Sequence, residues 1–119
     1  MSRILLIDDD VAIRNIACQV LQRSGHELQL AASAEEGLLC CAASPFSLVI
    51  TDLSLPGMPG SRFAKIVREQ YPQMKILIFS GLAPDTLEED EQGGAGLAFL
   101  AKPFRPKELL LAVEEMLLE

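Results

Sequence analysis

Five residues in this chain carry side chains suited to one kind of chemistry, and each stands where an apolar run stops. Asp8 and Asp9 follow the run Arg3 to Ile7, Asp52 comes just past Leu48 to Ile50, Ser80 closes Lys75 to Phe79, and Lys102 follows Leu97 to Ala101. Carboxylates gathered at one place repel and need a neutralising partner. A hard divalent cation is the natural one, and Mg2+ favours a few carboxylate and carbonyl oxygens with waters retained. Lys102 offers a point charge for a phosphate oxygen and Ser80 a hydroxyl donor. A carboxylate nucleophile, a metal, a cation and a hydroxyl are the parts that phosphoryl transfer to an aspartate requires.

These residues converge only if the elements between them repeat regularly. The runs Arg3 to Ile7, Leu48 to Ile50, Lys75 to Phe79 and Leu97 to Ala101 are short and apolar, as strands buried on both faces should be, and Glu27 to Ala31 alternates like an edge strand. Ile13, Ile16, Ala17, Val20 and Leu21 follow helical spacing, with Gly25 as the breaker beyond. Ser33 and Glu36 form a capping box for a helix through about Ala43. Phe63, Ile66, Val67 and Gln70 mark one face of a third helix ending near Pro72, and Leu109, Leu110, Val113, Met116 and Leu117 mark the last.

The alternation predicts an α/β fold: a flavodoxin-like, doubly wound (βα)5 domain over residues 1–119, with a parallel five-stranded sheet in the order 2-1-3-4-5. In such a sheet the crevice lies outside the carboxyl ends of the strands, where all five residues fall. Between Asp85 and Gln92, Leu87 is the sole large apolar residue among five acids, and Gly93-Gly94 follows. The fourth helix is therefore expected to be short or disordered, with weak order over about 83–94.

The chain has 119 residues, half of them hydrophobic, enough for one core. Its net charge of −7 argues against a direct nucleic-acid or membrane partner. No apolar run approaches the roughly 20 residues of a transmembrane helix, so a cytoplasmic location is expected. Cys18, Cys40 and Cys41 form no CxxC pair and read as reduced spacers. Asp10 reads as a helix N-cap, and His26, after Gly25, as a surface residue.

Together the segments resemble the receiver domain of two-component response regulators, CheY-like in type. Ile4-Leu5-Leu6-Ile7-Asp8-Asp9 is similar to the family's first strand and acidic pair, Asp52 followed by Leu55-Pro56-Gly57 to its phosphoacceptor segment, Ser80-Gly81 to its hydroxyl and small residue, and Lys102-Pro103-Phe104 to its Lys-Pro-Phe turn. The resemblance implies that Asp52 accepts a phosphoryl group from a sensor histidine kinase or histidine phosphotransfer protein. It implies that Asp9, Asp52 and the main-chain carbonyl of Ser54 ligate Mg2+, with Asp8 acting through a water. Ser80 and Phe99 would be the switch pair, Lys102-Pro103 would be cis, and an output domain or downstream protein would read the state. The domain would catalyse its own aspartyl phosphorylation and dephosphorylation, slowly in the second case, since Ser54 and Leu82 carry no charge.

Two other classes share part of this pattern. An aspartate-based phosphatase would use carboxylates and Mg2+, but Asp8-Asp9-Asp10-Val11-Ala12 lacks the hydroxyl-bearing or Val residue such enzymes show four after their first Asp. A degenerate receiver serving only as a phosphorylation-independent binding module is the alternative, motivated by the unusual fourth-helix segment. Gly94-Ala95 standing one residue early and the acids Glu114, Glu115 and Glu119 in the last helix depart from the family pattern.

Overall fold

The computed structural model describes residues 2–53, 55, 57–80 and 96–118, with backbone alone for Ser61 and Ser80. The elements follow in the order β1 (Arg3–Ile7), α1 (Val11–Arg23), β2 (Glu27–Ala31), α2 (Ala34–Ala43), β3 (Leu48–Asp52), α3 (Gly60–Gln70), β4 (Lys75–Ser80), β5 (Leu97–Ala101) and α4 (Pro106–Leu118). The strands form one parallel sheet in the order β2-β1-β3-β4-β5, as the sequence predicts. The fold is flavodoxin-like, with four helices among the described residues. The expected weakness over 83–94 lies outside the described residues.

Alternation along the strands builds two cores, because successive side chains of a strand point to opposite faces. Leu5, Ile7, Val49, Ile76 and Ile78 face α2 and α3, packing with Ala34, Cys41, Phe63 and Val67. Ile4, Leu6, Leu48, Ile50, Leu77 and Phe79 face the other way, onto Ala17 and Leu21 of α1 and Leu109, Val113 and Met116 of α4. The three central strands are covered on both sides, which is why they read as continuous apolar runs.

Local chemistry sets the helix ends. Asp10 caps α1, its carboxylate accepting from the Ala12 N–H at 2.9 Å. At α2 the Ser33 hydroxyl accepts from the Glu36 N–H at 3.2 Å, and Glu36 reaches back to the Ala32 N–H at 3.5 Å, one residue beyond a strict capping box. Pro106 opens α4, where its missing N–H costs nothing, and the Glu108 carboxylate accepts from the Arg105 N–H at 2.7 Å. Lys75 closes the far end, donating to the Met116 carbonyl at 2.7 Å.

Two expectations are corrected here. On α3, Phe63 and Val67 of the expected face are buried, with Ala64 beside them, and Ile66 is half-buried, but Gln70 is exposed, a polar amide at the last residue of the helix. His26 is not a surface residue: its side chain is only 9% exposed, and its Nε2 lies 3.7 Å from a Glu114 oxygen. The turn at Gly25, whose φ of +89° suits glycine, folds the ring back beneath α4.

Candidate functional site

The site grows from the ends of β1, β3 and β5. β1 and β3 are neighbours, with Ile7 level with Thr51, so the residues that follow them, Asp8 and Asp52, emerge side by side. Asp52 is also level with Phe79 of β4, whose carbonyl accepts from the Leu53 N–H at 2.8 Å and holds the chain just past the carboxylate. One carboxylate oxygen from each of Asp8, Asp9 and Asp52 lies within 4.8 Å of the other two.

Lys102 bridges the cluster. Its Nζ donates to Asp52 Oδ2 at 3.1 Å and to Asp8 Oδ2 at 3.2 Å, joining the ends of three strands. The Lys102-Pro103 peptide is cis, as expected. Burial pushes the Asp8 carboxyl above its ordinary range; the Asp10 N–H at 2.9 Å and the Lys102 charge oppose the rise, and the charge of Asp52 adds to it. Burial pulls the Lys102 ammonium down, but its hydrogen bond to Asp52 and the charges of Asp8 and Asp52 outweigh this and raise it.

Asp8 is fully buried, Asp52 nearly so, and Asp9 exposed. The cluster is thus reached from solvent on the Asp9 side. Among the described residues three carboxylates face one ammonium, an excess of negative charge, and an all-oxygen donor set of this kind fits a hard divalent cation.

The structure therefore brings together Asp8, Asp9, Asp52 and Lys102. Ser80 ends β4 beside Ala101, the residue before Lys102, while its hydroxyl lies outside the described residues, as do the Ser54 carbonyl and Leu82. Phe99 is level with Ile78 on β5 and packs, partly buried, against the α2–α3 core.

Two contributors escape a reading of the chain alone. Gly60 starts α3 directly over the end of β3, its N–H donating to the Leu53 carbonyl at 2.8 Å. A Cβ there would collide with the Asp52 carbonyl oxygen, so glycine lets the helix sit against the strand that presents Asp52. Phe79 is fully buried beneath Lys102, with Nζ 5.9 Å from its ring centre, and packs against Phe104 at 4.7 Å between centroids. A phenylalanine immediately before Ser80 and another two after Lys102 were the available signals.

A flavodoxin-like parallel sheet with a lysine-bridged acidic crevice at its carboxyl edge is the arrangement that defines the class. The chain belongs to the response regulator receiver domain family of two-component signalling, whose model matches residues 4–114. It is 36% identical over 111 residues to the response regulator protein FleR of Pseudomonas aeruginosa, an alignment covering 92% of this chain but 23% of that protein. With the response regulator receiver protein CpdR of Brucella abortus it shares 34% identity over 121 aligned positions, covering 99% of this chain and 98% of that one. Among solved structures, TrrA of Thermotoga maritima in complex with Mg2+-BeF superposes with a TM-score of 0.86 at 28% identity, covering 98% and 99% of the two chains. No helix among the described residues is long and apolar enough to cross a membrane.

Proposed function

We propose that residues 1–119 act as one phosphoacceptor receiver domain, in which Asp52 takes a phosphoryl group from a sensor histidine kinase or a histidine phosphotransfer protein. The observation that supports this most directly is the joining of Asp8, Asp9, Asp52 and Lys102 at the ends of three strands. An Asp52 carboxylate oxygen forms the new bond to phosphorus as the bond from phosphorus to the donor imidazole nitrogen breaks, and the electron pair leaves with the imidazole. Lys102, already within hydrogen-bond reach of Asp52, follows the transferred charge and pairs with a phosphoryl oxygen. Ser80 supplies a hydroxyl to another.

Asp8, Asp9, Asp52 and the Ser54 carbonyl are the residues that would hold Mg2+. When bound, the ion supplies positive charge that offsets the carboxylates and the incoming phosphoryl group. The complex of TrrA with Mg2+-BeF supports this assignment by likeness. Ser80 and Phe99 would report the phosphorylated state to an output domain or downstream protein, in a cytoplasmic setting and without direct contact to nucleic acid or membrane.

Incubation with Mg2+ and acetyl phosphate should add one phosphoryl group to the native chain, detected by intact mass, and none to Asp52→Asn. An unmodified native chain, under conditions that label a control receiver, would overturn the proposal in favour of a phosphorylation-independent binding module.

A further inference from the structure

Phe99, which the phosphoacceptor reading pairs with Ser80, belongs to one face of the sheet. Phe99 packs with Ile78 on the α2–α3 side, while Phe79, its neighbour in the chain, belongs to the α1–α4 side. The site thus touches the second core through a different set of side chains. Lys102 Nζ stands 5.9 Å from the Phe79 ring, at the outer limit of a cation–π contact, so the attraction itself is weak and the connection is chiefly one of packing.

That packing is continuous. Phe79 is fully buried among Leu77, Leu109 and Val113, and its ring meets Phe104, tilted by 45° at 4.7 Å. Phe104 lies two residues after Lys102 and two before Pro106, the first residue of α4. Arg105, between them, is tied to α4 by its N–H to Glu108 and by its carbonyl, which accepts from the Glu108 and Leu109 N–H groups at 2.9 and 3.2 Å. When Lys102 exchanges Asp8 and Asp52 for a new acceptor, the charge and packing change at one end of this short tether, and the Phe104 ring is the part of the tether seated on the core.

We infer that the Phe79–Phe104 ring pair couples the position of the Lys102 ammonium to the start of α4, a route of readout separate from Phe99 and on the opposite face of the sheet. The inference rests on the phosphoacceptor reading above. Phosphorylation adds roughly one to two negative charges at Asp52. The two states of the site therefore hold Lys102 differently, and a ring pair that favours one placement of Phe104 biases α4 between two placements. Spatial continuity suggests the route; a measured coupling establishes it.

The test is amide hydrogen exchange along α4 with and without saturating Mg2+ and beryllofluoride, in the native chain, Phe79→Leu, Phe104→Leu, Phe104→Tyr and Phe99→Leu. In the native chain the probe should change exchange over Leu109 to Val113 by about fivefold or more, the lower end of ordinary allosteric coupling. Phe79→Leu and Phe104→Leu should still take up the probe at saturation yet lose that change, Phe104→Tyr should restore it, and Phe99→Leu should retain it. A response persisting in both leucine variants, or lost in Phe99→Leu alone, overturns the inference. Phe104 is only partly buried, so its variants stay informative if Phe79→Leu unfolds. Failure of the native chain to take up the probe would sink the phosphoacceptor reading itself, a result distinct from a native chain that binds while α4 stays indifferent to the rings.

Discussion

Replacing Asp9 by Asn should have opposite effects with and without a divalent cation. In a chelator the substitution removes one of three clustered carboxylates while leaving both contacts of Lys102 intact, since these go to Asp8 and Asp52. At the outer separation of 4.8 Å two like charges repel by about 3.5 kcal/mol at an effective dielectric of 20, and by about 0.9 kcal/mol in water. Asp9 is exposed, so the lower figure applies to each of its two neighbours, and attraction to Lys102 and salt screening reduce the sum to about 0.5–1 kcal/mol. For a 119-residue domain that is an increase in Tm of roughly 2–5 °C. Excess Mg2+ should then stabilise the native chain and leave Asp9→Asn nearly unmoved, because binding to the folded state alone raises stability by mass action. Thermal unfolding followed by circular dichroism at low salt, with EDTA or with Mg2+, measures both effects. A variant less stable than the native chain in EDTA, or one stabilised equally by Mg2+, would refute the argument that Asp9 is held at a cost and serves the cation.

Gly60→Ala should cost about 2 kcal/mol or more, because the added Cβ meets the backbone of Asp52 and Leu53, which cannot yield as a side-chain tip does; denaturant unfolding reads the loss. Cys41 should resist iodoacetamide in the folded protein, since burial and then the neighbouring Cys40 push its thiol up to about 11, leaving roughly one thiolate per thousand at pH 8; mass spectrometry should find it labelled only after unfolding. The Asp8 carboxyl is raised in the folded state, so its contribution is fully present below the ordinary 3.8 and is lost as pH rises through the folded value. In EDTA, the stability difference between the native chain and Asp8→Asn should therefore move in the variant's favour as pH rises above the ordinary carboxyl value of 3.8, as urea titrations would record.

The fold and most of the charged site were legible because their determinants are local. A strand that runs apolar and then stops at Asp8 or Asp52 declares both its burial and the edge where the carboxylate emerges. Asp10 and Ser33 cap their helices with groups two or three residues away, within reach of a one-dimensional reading. What stayed hidden depends on distant segments meeting. Nothing near His26 announces that α4 will cover it with Glu114, and nothing near Gly60 announces that the helix will start against the carbonyl of Asp52. Phe79 looks like any strand phenylalanine until β5 and the turn after it bring Lys102 and Phe104 over its ring.

The charge imbalance at the crevice is itself the reason the site can respond. Asp8 is fully buried, and a buried carboxylate persists in ionised form only with compensation, here the Asp10 N–H and the Lys102 ammonium. Among the described residues that ammonium is divided between Asp8 and Asp52, and Asp9 adds a further negative charge at the mouth. A second fixed cation in place of Asp9 would balance the cluster and raise stability, but it would fill the demand that a divalent ion meets. It would also give Lys102 no reason to move. A ligand shifts an equilibrium only by the difference in its interactions with the two states. Under-neutralised carboxylates create that difference for a cation, and the shared lysine creates it for a phosphoryl group.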